Sequence, residues 1–142
     1  MKKLALAAVT AVFFMLLIPI SCGQVGDSQS KVETEKGVVQ VLYFHGKQRC
    51  ATCLAIEEQT KALLDAEFQS QQQQGKVKYR VVDISTPEGE AVADRYEVAF
   101  SSLILDKDGQ TVDLTDMGFR YARSEPETFK ANLKVQINKL LK

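Results

Sequence analysis

The chain has 142 residues, 45% hydrophobic and 25% charged, with 18 basic and 18 acidic side chains and a formal net charge of zero. That length and makeup suit one globular domain and leave no room for two ordinary ones. With no basic surplus to displace counterions, the balance argues against a nucleic-acid partner.

Lys2 and Lys3 precede an almost uninterrupted apolar run over residues 4–20, which ends in Ser21, Cys22 and Gly23. A basic start, an apolar stretch and small residues behind it describe a secretory signal peptide, expected over residues 1–21. The alternative is a membrane-spanning helix, for which this run lies at the short edge of the roughly 17–25 residues required. The stretch IPISC resembles the lipobox of bacterial lipoproteins, with the small Ser21 ahead of the cysteine and Pro19 where that family usually carries Leu. The resemblance implies lipid attachment at Cys22 and an extracytoplasmic, membrane-anchored location in the periplasm or cell envelope; the alternative is ordinary cleavage nearby. Cysteine arithmetic agrees with lipidation, because three cysteines in an exported protein otherwise leave one unpaired.

Residues 22–36 are polar and unpatterned and read as a flexible tether, with the folded domain over 37–142. VVQVLYF (38–44) is near-continuously apolar, the mark of a strand buried on both faces. ATCLAIEEQTKALLDAEFQS (51–70) has neither Gly nor Pro and spaces Ile56, Leu63, Leu64 and Phe68 as a helix does. QQQQG (71–75) reads as a frayed helix end closed by Gly75. VKYRVVDI (77–84) is a second strand. STPEGEAVADRYEV opens a helix with Thr86 as N-cap and Pro87 at the first position. Strands follow at SLIL (102–105) and TVDLTDM (111–117), joined through the hairpin signal Asp108-Gly109. A last helix is expected behind a capping box of Ser124 and Glu127, with Phe129, Leu133, Ile137, Leu140 and Leu141 on one stripe. The order strand, helix, strand, helix, strand, strand, helix implies an α/β fold with a mixed sheet of about four strands and helices on both faces.

Cys50 and Cys53 form a C-x-x-C pair where the first strand gives way to the first long helix. Three chemistries use that spacing. A structural zinc site needs four ligands, and the sequence offers two thiols and its only histidine, His45. A structural disulfide would close a loop of four residues, which removes little chain entropy. A thiol pair at a helix N-terminus, in contrast, gains from unpaired N–H groups and the positive end of the dipole, which favour thiolate over thiol.

CATC at this junction, with DRYEVAFSSLILDKDGQ and Gly118 further on, resembles the thioredoxin family over roughly residues 38–141. The resemblance implies a thioredoxin-like fold and thiol–disulfide exchange in which Cys50 is the nucleophile and Cys53 the resolving thiol. No organic cofactor is implied. Implied partners are exported proteins with cysteines or disulfides, apocytochromes among them, and a membrane thiol reductase or oxidase. His45, Arg49, Glu57, Ser101, Ser102 and Gly118 are the candidate neighbours of the pair.

Arg49 and Lys47 add positive charge near Cys50 or are solvated loop charges. Glu57 and Glu58 are proton acceptors for Cys53, or else helix-face charges or salt-bridge partners. Ala51-Thr52 leaves the redox direction open. The chain departs from the family in three places. Arg49 replaces the tryptophan before the first cysteine, Tyr43 or Phe44 replaces the buried acid, and Ser101 or Ser102 replaces the cis-proline, where a trans bond is expected. The loss of that proline supports the rival reading, a lipoprotein binding module that holds a metal ion of the Cu(I) type or a protein partner with little redox turnover.

Overall fold

The computed structural model describes residues 35–142. The leader, Cys22 and the tether up to residue 34 therefore lie outside the described residues. Among the described residues, no helix is long and apolar enough to cross a membrane.

The described chain forms four strands and five helices: β1 (Val39–His45), α1 (Ala51–Glu67), α2 (Gln69–Gln73), β2 (Val77–Asp83), α3 (Pro87–Arg95), β3 (Ser102–Lys107), β4 (Gln110–Asp113), α4 (Thr115–Tyr121) and α5 (Pro126–Leu141). The sheet order is β2-β1-β3-β4. β1 and β2 run parallel, with Val39 opposite Val77 and His45 opposite Asp83, while β3 lies antiparallel to both β1 and β4. This is the mixed four-stranded sheet expected from the element order.

Alternation along β1 builds two cores. Val39, Val41 and Tyr43 face Ile56, Leu63, Leu64 and Phe68 from α1 and Phe129, Leu133, Ile137 and Leu140 from α5. Leu42 and Phe44 face Val92 and Ala93 of α3 on the other side. All five of these β1 side chains are fully buried, which fits the apolar run that marked a two-sided strand. The topology places the next loop at a defined point. The chain leaves β1 for β2 on one side and later returns to β3 on the other, so the carboxyl end of β1 lies where the strand order reverses, a position that favours open crevices.

Local chemistry sets most of the boundaries. Thr86 caps α3 by accepting a 3.1 Å bond from the Gly89 N–H, with Pro87 in the first turn. The glutamine tract makes a short helix of its own and ends in a Schellman closure. Lys76 N–H donates to Gln71 C=O and Gly75 N–H to Gln72 C=O, with Gly75 at φ +70°. Asp108 and Gly109 both take positive φ, 55° and 84°, as a two-residue turn between twisted strands requires.

Two expectations are corrected. The strand expected over 111–117 ends at Asp113, and α4 begins at Thr115. The Asp113 carboxylate accepts the Thr115 N–H at 2.8 Å, and the Thr115 hydroxyl accepts the Leu103 N–H at 3.2 Å, so side chains end the ladder and start a helix turn. The capping box of Ser124 and Glu127 does not form. Glu125 occupies the N-cap without a side-chain bond, and Pro126 starts α5. Proline disfavours helical dihedrals in the residue before it, so Glu125 cannot serve as the first helical residue behind Ser124. Ser124 instead donates its hydroxyl to the Arg120 carbonyl.

A Cβ on Gly89 would lie 1.8 Å from the Asp83 carbonyl oxygen, whereas one on Gly46 would meet nothing within 4 Å. Gly89→Ala is expected to lower stability by about 1–3 kcal/mol through overpacking against backbone. Gly46→Ala should stay within about 0.5 kcal/mol of the parent. Urea unfolding midpoints of the two variants, with unchanged slopes, check this contrast.

Candidate active site

Cys50 sits in the N-cap position of α1, in extended geometry (φ −77°, ψ 164°). Its sulfur accepts the Cys53 N–H at 3.1 Å, and its carbonyl accepts the Leu54 N–H at 3.1 Å. A cysteine thus fills the role usually held by Ser, Thr, Asp or Asn. α1 has no acidic residue in its first turn, so within that turn no carboxylate competes with the sulfur for the positive end of the helix.

The two sulfurs lie 2.6 Å apart as free cysteines, Cys50 exposed and Cys53 buried. The Cys50 thiol is held below its ordinary range, chiefly by hydrogen bonding from the Cys53 side chain and then from the Cys53 backbone N–H. One sulfur is accessible and acidified; its neighbour waits one helical turn away.

Beneath the pair lies Tyr43 of β1, fully buried. Its hydroxyl donates a 2.8 Å hydrogen bond to the Cys53 carbonyl. Burial pushes its phenol up to about 12, so Tyr43 stays protonated at neutral pH and acts as a donor, not as a proton acceptor for Cys53. Tyr43 rather than Phe44 therefore occupies the floor of the site, since Phe44 belongs to the opposite core.

Arg49 closes one side. Its guanidinium pairs with the Glu57 carboxylate and stands 5.8 Å from the Tyr43 ring centroid. The Arg49 Nε is buried without a hydrogen-bond partner among the described residues. On the other side Ser101 lies within reach, and the Cys53 thiol donates toward its hydroxyl at 3.8 Å, a long contact even for sulfur. Every described peptide bond is trans, including those at Ser101 and Ser102.

The structure thus brings Cys50, Cys53, Ser101, Arg49 and Glu57 together. His45 ends β1, with its Nδ1 3.0 Å from the Gly46 carbonyl. Ser102 donates its hydroxyl to the Phe100 carbonyl. Gly118 lies in α4 against Ile56, where a Cβ would approach the Ile56 Cδ1 to 3.2 Å. Lys47 and Glu58 are exposed. Among the described residues, no group of three or more His, Cys, Asp or Glu side chains converges as a metal site would require.

Two apolar side chains beside the pair carried no sequence signal. Leu54, next to Cys53, is 50% exposed, and Phe100, next to Ser101, is 66% exposed. A Phe between Ala and Ser is equally consistent with a buried strand end, so only tertiary placement reveals it.

Because the Cys53 side chain is the main cause of Cys50's acidity, Cys53→Ala should raise the Cys50 titration toward the ordinary thiol range. Cys53→Ser, which keeps a hydroxyl donor, should raise it less. The pH dependence of iodoacetamide alkylation of the reduced variants measures both.

No family model and no curated protein matches the chain. Among solved structures, the chain is similar to a malarial protein at 20% identity and a TM-score of 0.51, over 74% of this chain and 99% of that one. Weaker likenesses include a Fasciola hepatica thioredoxin, at 23% identity over 73% of this chain and 82% of that one, with a TM-score of 0.46. Saccharomyces cerevisiae mitochondrial thioredoxin 3 gives 19% identity and a TM-score of 0.46, over 75% of this chain and 81% of that one. The first of these likenesses bears on fold alone.

Proposed function

We propose that this chain is a thiol–disulfide oxidoreductase of thioredoxin type that works outside the cytoplasm, held to a membrane by lipid on Cys22. The observation that carries the exchange reading is the sulfur pair itself. An exposed, acidified Cys50 caps a helix 2.6 Å from a buried Cys53, the asymmetry that a nucleophile and a resolving thiol need. The leader and lipobox-like residues of the sequence support the anchored location.

In the reducing direction the Cys50 thiolate attacks one sulfur of a substrate disulfide. The substrate S–S bond breaks, a mixed disulfide forms, and the first substrate sulfur leaves as thiolate. Cys53, losing its proton, then attacks the Cys50 sulfur, which releases the second substrate thiolate and leaves the Cys50–Cys53 disulfide. Two electrons pass from the pair to the substrate; one substrate sulfur takes up the proton that Cys53 loses, and the other takes one from solvent. In the oxidising direction the same steps run backward. The exposed Leu54 and Phe100 offer apolar contact to exported proteins with cysteines or disulfides, and a membrane thiol reductase or oxidase resets the pair.

The test is equilibration of the pair against glutathione buffers, followed by alkylation mass. A reversible two-electron couple is expected, and Cys53→Ser should accumulate mixed disulfides through Cys50. Absence of any couple at every buffer ratio points instead to a binding module. For the anchor, Cys22→Ser should abolish metabolic labelling of the chain by fatty acid and release it from membranes; labelling that survives the substitution removes Cys22 as the attachment point.

A further inference from the structure

The exchange steps above make no use of Arg49 and Glu57, although Arg49 immediately precedes the nucleophile. The pair spans the base of the site, from the loop before Cys50 to the second turn of α1, and both side chains are less than one-third exposed, at 23% and 31%. Arg49 also covers the Tyr43 ring, and Tyr43 holds the Cys53 carbonyl. One cation and one anion are thereby fixed to the framework that holds both cysteines.

We propose that Arg49 and Glu57 form a charge-compensated pair that sets the redox poise of the Cys50–Cys53 couple, each offsetting the other's effect on the Cys50 thiolate. This inference rests on the exchange reading above. Reduction converts an uncharged disulfide, with two electrons and one proton, into a Cys50 thiolate and a Cys53 thiol. A cation nearby favours that product and makes the couple more oxidising, and an anion makes it more reducing. Partial burial weakens screening by salt, so the sum of the two charges matters more than it would on an open surface.

The pairing also decides between the roles that the sequence left open for both residues. Arg49 is not a free activating charge, because Glu57 neutralises it, and Glu57 is not a free proton acceptor, because Arg49 engages it. The other titratable groups about the site are Tyr43 on β1, His45 at its end, Lys47 in the loop, and Tyr79 and Asp83 on β2. Burial raises both phenols, so the tyrosines stay neutral. The exposed Asp83 carboxyl is held low by hydrogen bonds from the side chain and backbone of Ser85.

The experiment uses the full chain in detergent, with Glu57→Gln, Arg49→Gln and the double variant. It measures the equilibrium with glutathione, in which dithiol plus oxidised glutathione gives disulfide plus two reduced glutathiones, and the Cys50 alkylation pKa of the reduced form. Glu57→Gln should favour the dithiol by about three- to tenfold and lower the Cys50 pKa, and Arg49→Gln should shift both by similar amounts in the opposite direction. The double variant should return to within about twofold of the parent. Arg49→Lys, which keeps the charge but not the planar fork, should also remain near the parent.

A merely structural clamp would move both single variants the same way. That result, or single-variant shifts below about 1.5-fold against an expectation of several-fold, overturns the proposal while leaving the exchange reading intact. A parent chain with no reversible couple overturns the exchange reading, and this proposal with it.

Discussion

The hydrogen bond from the Cys53 N–H to the Cys50 sulfur joins two requirements that proteins more often meet separately. A helix needs an acceptor at its N-cap, and a nucleophilic thiol needs donors that favour its anion. Here one atom satisfies both. The first turn of α1 therefore gains most when the sulfur is ionised, and helix stability is linked to that ionisation. The position of that turn depends in turn on β1, whose buried flanks fix where the strand ends and the loop to Cys50 begins.

The floor of the site shows how a phenol can occupy a position where an acid is expected. A buried carboxylate would bring a negative charge that must be paired or neutralised. Tyr43 brings only a polar hydroxyl, and the Cys53 carbonyl satisfies it. Its ring serves the Arg49 guanidinium as well, so one side chain contacts both the backbone of the buried cysteine and the cation beside the exposed one. The charge that the floor lacks is carried at its edge by Glu57, paired and partly solvated, where ionisation costs less.

Elements whose signals are local were legible in the sequence. β1 announced itself by unbroken apolarity, α3 by Thr86-Pro87, and the β3–β4 turn by Asp108-Gly109. The C-x-x-C placement followed because the strand end and the helix start were both readable. The misses differ in cause: two depend on contacts between segments, and one on a proline beside the expected cap. Threonine and valine in TVDLTDM hold a strand as far as Asp113, and beyond it the Asp113 carboxylate and the Thr115 hydroxyl, through bonds to the Thr115 and Leu103 N–H groups, start α4. Ser124 and Glu127 have capping-box spacing, but Pro126 shifts the start of α5. Arg49 and Glu57 are separated by eight residues, and their pairing depends on how the loop folds back over Tyr43, which no periodicity encodes.

The described chain enters the domain beside the β3–β4 turn, where the Gly37 N–H bonds the Asp108 carboxylate, and the cysteines lie at the far end of β1. A strand of seven residues spans about 23 Å at roughly 3.3 Å per residue. Entry point and cysteine pair thus lie at opposite ends of that strand. The chain arrives at the hairpin end of the sheet, and the cysteines open at the opposite end. A molecule that engages the thiols at the far end of β1 therefore meets neither the entering segment nor the β3–β4 turn.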